Sequence, residues 1–171
     1  EFDQYKKGDL SLFVRLGTDF TNNYYEYELP LTFTPWYTGY NNEELIWPES
    51  NNVDIDLEQL VKVKENRNAK IRANDLTVSS TIPYHEIIDG KKMTVVGMPN
   101  IAGVKVLMIG IRNPKKQNIN DNDDMLPKSA EIWINELRLT DFNRSGGWAA
   151  TGFARTNLAD LGDVSLSASH R

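Results

Sequence analysis

The sequence predicts a mainly β protein: an antiparallel β-sandwich of jelly-roll type with one short helix, followed by a C-terminal β-hairpin. Three observations predict it. Apolar residues recur two apart in run after run from Leu10 to Leu139, the spacing that puts every second side chain on one face of a strand. Only one stretch of the 171 residues holds helical spacing. Long loops rich in Asn, Asp, Gly and Pro separate the runs, as in an all-β domain with many turns.

Taken in order, "LSLFVRLGTDF" places Leu10, Leu12, Val14 and Leu16 on one face of a first strand. "NNYYEYELPLTF" does the same with Tyr25, Tyr27, Leu29 and Leu31, leaving Tyr24, Glu26 and Glu28 on the other face. Pro30 has no N–H to give a ladder, so this strand is expected at an edge or broken there. Thr34 to Asn52 lacks a sustained period and reads as a long loop with a short extended piece around Leu45 to Trp47. The helix comes next. Asp56 stands as its N-cap with Gln59 three residues on, Leu57, Leu60, Val61 and Lys64 follow helical spacing, and fraying is expected near Glu65 to Ala69.

"HEIIDGKKMTVVG" then sets Asp89-Gly90 between two apolar runs, the pair suited to a type I′ turn because both positions need positive φ. "VKVLMIGIRNP" is apolar on both faces, with Val104, Val106 and Met108 on one and Leu107, Ile109 and Ile111 on the other. Such a strand is expected at the centre of a sheet. Lys115 to Asp124 is a mobile loop by composition. Ser129 to Leu139 resumes strand alternation with a phase change near Asn135-Glu136, the mark of a bulge. After Gly146-Gly147, Trp148 to Arg155 and Val164 to Arg171 read as two short strands. They are the last strands of the sandwich or strands of the membrane-barrel kind, which alternate small and apolar residues. The expected domains are therefore 1–142, the sandwich, and 143–171, the hairpin.

Composition narrows the function. A net charge of -5 and a pI near 5.1 argue against a nucleic-acid partner, which leaves a basic footprint. The basic stretch Val61 to Arg72 reads as a solvated helix face. No run of about 18 apolar residues offers a transmembrane helix. There is no cysteine, which removes disulfides, thiolate metal sites and cysteine nucleophiles. With Glu1 at its start and no signal peptide, the chain is expected to be a piece of something longer.

Candidate sites are few. Asn120, Asn122, Asp124 and Glu131 fall at the first, third, fifth and twelfth positions of a calcium loop, but Met125 replaces the turn glycine and Pro127 interrupts it; a solvated loop is the better reading. Trp36, Tyr37, Tyr40 and Trp47 offer either a stacking platform for a sugar or a cover for the open end of the sandwich. His85 and His170 stand outside any metal-ligand spacing. Asp54 and Asp56 are explained by the helix start. The serines of "SLSAS" lack a nucleophile elbow, and "GMPNIAG" is no phosphate loop. No catalytic set, metal or cofactor is expected.

Four stretches, "LFVRLGTDFTNNYYEYELPL", "IWPESNNVDIDLEQLVKVKENRN", "GMPNIAGVKVLMIGIRNP" and "SAEIWINELRLTDFNRSGGWAATGFARTNLADLGDVSLSASHR", resemble in order the SprA (Sov) family, the outer-membrane translocons of type IX secretion and gliding motility in Bacteroidetes. That resemblance implies an internal fragment of a giant outer-membrane barrel that exports folded proteins. It implies an extramembrane sandwich inserted between barrel strands, with Trp148 onward re-entering the barrel wall. The implied partners are other segments of the parent barrel, the barrel and plug proteins bound to the channel, and transient cargo proteins, on the periplasmic or, by preference, the extracellular side. A second reading of another class is a free-standing carbohydrate-binding sandwich, with "AEIWINELRL" as its closing strand and Trp36, Tyr37, Tyr40 and Trp47 as its platform.

Overall fold

The computed structural model describes residues 5–35, 38–39, 41–114, 126–140, 150–157 and 163–170. The chain divides into two compact units, Glu1–Ser129 and Ala130–Arg171. The fold is mainly β and antiparallel, with few helices, sandwich-like and without a closed barrel among the described residues.

The first unit holds a five-stranded sheet made of β1 (Ser11–Gly17), β2 (Tyr24–Pro30), β3 (Tyr84–Ile88), β4 (Lys91–Val96) and β5 (Val106–Arg112). Their order across the sheet is β3-β4-β2-β1-β5, and every neighbouring pair is antiparallel. Two tight connections set the register. Asp89 and Gly90 take φ of 51° and 75° between β3 and β4, the type I′ geometry expected there. Between β1 and β2, Asp19 organises the loop: its Oδ1 accepts from the backbone N–H groups of Thr21, Asn22 and Asn23, and its Oδ2 from the Asn23 side chain.

Of the two alternatives for β2, the edge position is corrected and the break holds: the strand is central, between β1 and β4, its first six residues are buried, and it ends at Pro30. Pro30 is tolerated because it is the last residue of the strand, paired with Ser11 at the ladder's end. β5, expected at the centre, forms an edge and pairs only with β1 among the described residues. The short piece before the helix is also different: α1 (Glu43–Ile46) makes one helical turn where an extended stretch was expected.

α2 (Leu57–Arg72) starts where the capping residue predicts, with Asp56 Oδ1 accepting from the N–H groups of Glu58 and Gln59. It runs through the expected fraying point because its buried face is Leu60, Val63 and Arg67, a row that Val61 and Lys64 do not define. α2 lies against β3 and β4. Beneath it Leu60 and Val63 join Tyr25, Tyr27 and Leu29 of β2 and Met93 and Val95 of β4 in one core. Burying these side chains contributes about 1.5–3 kcal/mol each.

In the second unit, residues 130–140 carry no regular secondary structure, so the strand expected over Ser129 to Leu139 is absent. Trp133, Ile134, Leu137 and Leu139 are exposed, and without a ladder the alternation there has nothing to bury against. β6 (Ala150–Asn157) and β7 (Asp163–His170) form the expected antiparallel hairpin, with Phe153 opposite Ser167 and Gly152 opposite Ala168.

Candidate functional site

The sheet has one greasy face and one charged face, and strand parity decides which residue goes where. The face opposite α2 carries Phe13 and Arg15 of β1, Tyr24, Glu26 and Glu28 of β2, Lys92 of β4, and Arg112 of β5. Register places Arg15 directly across from Glu26 and Lys92 across from Glu28. Opposite charges at such positions stabilise the pairing of strands.

These residues form a five-member ionic cluster. Glu26 Oε2 accepts from Arg15 Nε at 3.0 Å and Nη2 at 2.6 Å, while its Oε1 accepts from Arg112 Nη2 at 2.9 Å. Arg112 Nη1 donates to Glu28 Oε2, which also lies 3.8 Å from Lys92 Nζ. The Arg15 Nη1 group donates to the Phe20 carbonyl in the Asp19 loop. Aromatic rings support the cations: Arg15 sits 3.9 Å above the Tyr24 ring, and Arg112 sits 4.7 Å above that of Phe13. Both carboxylates are buried, Glu26 at 4% exposure and Glu28 at 8%. They are held there because charge-assisted hydrogen bonds offset the loss of water. Burial acts to lower the Arg112 pKa, but the charges and hydrogen bonds of Glu26 and Glu28 together raise it above its ordinary value.

Chemically, this cluster is a fastener between strands. Each carboxylate is engaged by a guanidinium, and through these contacts and that of Lys92 the cluster links β1, β2, β4 and β5. Three cations face two carboxylates, so the cluster carries a net positive charge, with Arg112 at its β5 end and Lys92 on β4.

A second polar group lies on the helix side. Arg67 is fully buried, donating to Asn68 Oδ1 at 3.0 and 3.2 Å, to the Ser80 carbonyl at 3.5 Å and to Met98 sulfur at 3.5 Å. Lys64 Nζ and the Tyr25 hydroxyl both donate to the Pro99 carbonyl, at 2.7 and 3.2 Å. Burial lowers the Arg67 pKa and raises that of Tyr25. Arg67 and Lys64 tie α2, and Tyr25 ties β2, to the segments around Ser80 and Met98–Pro99, so the group anchors the fold.

Of the residues singled out in the sequence, Trp36, Tyr37, Tyr40, Asn120, Asn122 and Asp124 lie outside the described residues, and so does His170 as a side chain. Trp47 is half exposed just after α1. The Glu131 carboxylate accepts from the Trp133 indole N–H at 2.7 Å. Among the described residues no group of three His, Cys, Asp or Glu side chains is placed to hold a metal. Sequence reasoning put Glu26 and Glu28 on the polar face but missed the cluster. The available signal was Arg15: a hairpin from Gly17 to Tyr24 fixes Arg15 opposite Glu26, and the rest needs the long-range register of β4 and β5.

In the second unit, β6 and β7 put Gly152, Leu166 and Ala168 on one face. Thr151, Phe153, Arg155, Ser165, Ser167 and Ser169 lie on the other. The small and apolar row faces away from the hydroxyl-rich row. Among the described residues no helix is long and apolar enough to cross a membrane.

These features define a β scaffold with one apolar and one charged sheet face. The family model SprA_N, described as a motility related/secretion protein, matches residues 1–171, and the chain belongs to that family. No curated protein and no solved structure matches it.

Proposed function

We propose that the chain is a non-catalytic, cofactor-free structural and docking segment of an outer-membrane pore that exports folded proteins by the type IX pathway and supports gliding motility. The five-stranded unit stands outside the membrane, preferably on the extracellular side, and the hairpin is where the chain returns to the barrel wall. Its partners are the neighbouring strands of the parent barrel, the barrel and plug proteins of the channel, and passing cargo.

One observation carries this reading within a family of motility and secretion proteins: the β6–β7 hairpin. Its two strands of eight residues segregate a small and apolar row from a hydroxyl-rich one, the two-sided pattern of a barrel wall with lipid on one side and a polar lumen on the other. Barrel strands run about 9–11 residues, so the hairpin has nearly the needed span.

The test is a blot of fractionated source cells with an antibody raised against this chain. The expected result is a very large band in the outer-membrane fraction. A band near 19.5 kDa in a soluble fraction overturns the pore reading and turns attention to carbohydrate binding at Trp47.

A further inference from the structure

The two edges of the five-stranded sheet are finished differently. At the β3 edge, α2 reaches over. Asn66 donates to both Glu86 carboxylate oxygens at 3.1 and 3.2 Å, Lys70 sits 5.0 Å above the Tyr84 ring, and His85 and Glu86 break the apolar run. Charged and covered edges of this kind discourage further pairing.

The β5 edge has none of these devices among the described residues. Val106 to Ile111 contains no charged residue, proline or bulge. One side of β5 is paired with β1 throughout, and its other side offers a row of backbone donors and acceptors. On the face shared with α2, Leu107 and Ile111 are 42% and 39% exposed, an apolar rim along the open side. On the opposite face Arg112, at the end of the same strand, belongs to the cluster in which three cations meet two carboxylates.

We propose that the open edge of β5 is a strand-addition site for another polypeptide. Its occupant is an extended segment with apolar side chains at alternate positions and a carboxylate on the intervening face. The backbone ladder supplies affinity. The apolar positions cover Leu107 and Ile111 and so fix which face the incoming strand turns to the core side. The carboxylate lands beside the guanidinium of Arg112, 31% exposed at this edge in a cluster with more cations than carboxylates, which selects acidic over basic segments. This site is independent of the pore reading, because it rests on the sheet edge and the charge balance of the first unit alone.

The experiment is an NMR titration of the full isotope-labelled chain with a capped nonapeptide that alternates valine and threonine and carries one glutamate on the threonine face. The expected result is slowed amide exchange confined to Val106–Arg112. It is accompanied by at least tenfold weaker binding to Ile111→Lys, a change at a part-exposed side chain that leaves the core intact, and by weaker binding of the peptide with glutamine in place of glutamate. Equal binding to Ile111→Lys, or shifts centred elsewhere, overturns the proposal. So does a free chain whose outward β5 amides are already slow to exchange: as a monomer it has closed its own edge, and as a concentration-dependent dimer it has taken a second copy. Ile111→Lys is checked to retain the wild-type spectrum for β2 and β4, so that loss of binding and loss of fold are separable.

Discussion

Tyr25 and Tyr27 lie two residues apart on the same face of β2, and both are buried, yet they differ at one atom. The Tyr25 hydroxyl donates to Pro99 O; the Tyr27 hydroxyl is buried without a hydrogen-bond partner among the described residues. Losing a net-favourable hydrogen bond costs about 1 kcal/mol, whereas removing an unsatisfied hydroxyl is neutral or stabilising. Tyr25→Phe is therefore expected to lower stability by about 1 kcal/mol and Tyr27→Phe to hold or raise it, as denaturant unfolding of the two variants will read. Asp19 supplies a pH marker at the same scale. Hydrogen bonds from the Asn22 backbone, the Asn23 side chain and the Thr21 backbone hold its carboxyl far below the ordinary carboxylate range. Its folded pKa is depressed, so its stabilisation is present above the ordinary range and is lost as pH falls through the folded value. A carbon-detected titration should show Asp19 still ionised below the ordinary carboxylate range.

Elements are stitched by pairs of such residues. α2 depends on Asp56, whose carboxylate takes two of the first-turn N–H groups; Asp56→Ala is expected to cost about 1 kcal/mol, measurable as a shift in the thermal midpoint. β1, β2 and β5 meet at Glu26, which accepts from two guanidinium groups on different strands. Breaking a buried pair by removing one partner costs about 3–5 kcal/mol, and Glu26→Gln, which keeps shape and loses charge, is expected near 2–3 kcal/mol on that scale. Denaturant midpoints of the variant check it. The elements themselves were legible where their cause is local: strand alternation in β1 and β2, the Asp89-Gly90 turn, the Asp56 cap. Position in the sheet was not. The apolar character of Val106 to Ile111 specifies that both faces want cover, but whether a neighbour lies on both edges depends on segments far away. Pro30 misled about edge position for a related reason, since a proline excludes a ladder bond at one position and says nothing of the six residues before it. α2 outran its expected end because Arg67 is buried by contacts with Ser80 and Met98 that no helical period announces.

The whole molecule is two units of unequal build. The first has a core under α2 and a charged clasp on the other side of the sheet. The second has a two-stranded hairpin whose Phe153 and Leu166 are 73% and 70% exposed. An isolated hairpin is marginally stable in water, and regions with few buried contacts open first. Amides of Ala150–Asn157 and Asp163–His170 are expected to exchange faster than those of β1, β2 and β4 in the same sample, and uniform protection across both units would refute this.

The order of strands in the sheet also dictates an order of events. β1 with β2 and β3 with β4 are neighbours in sequence and close over short loops, while β5 must travel back across some ninety residues to find β1. Contacts of such separation form late, because the entropy of closing the loop is lost before the pairing rewards it. Until β5 arrives, Glu26 has Arg15 alone, and Glu28 lacks its guanidinium. β5 is the strand that delivers the second arginine, so a chain that stops short of Arg112 carries buried acids half-answered. Completion of the sheet and completion of its charge balance are a single step.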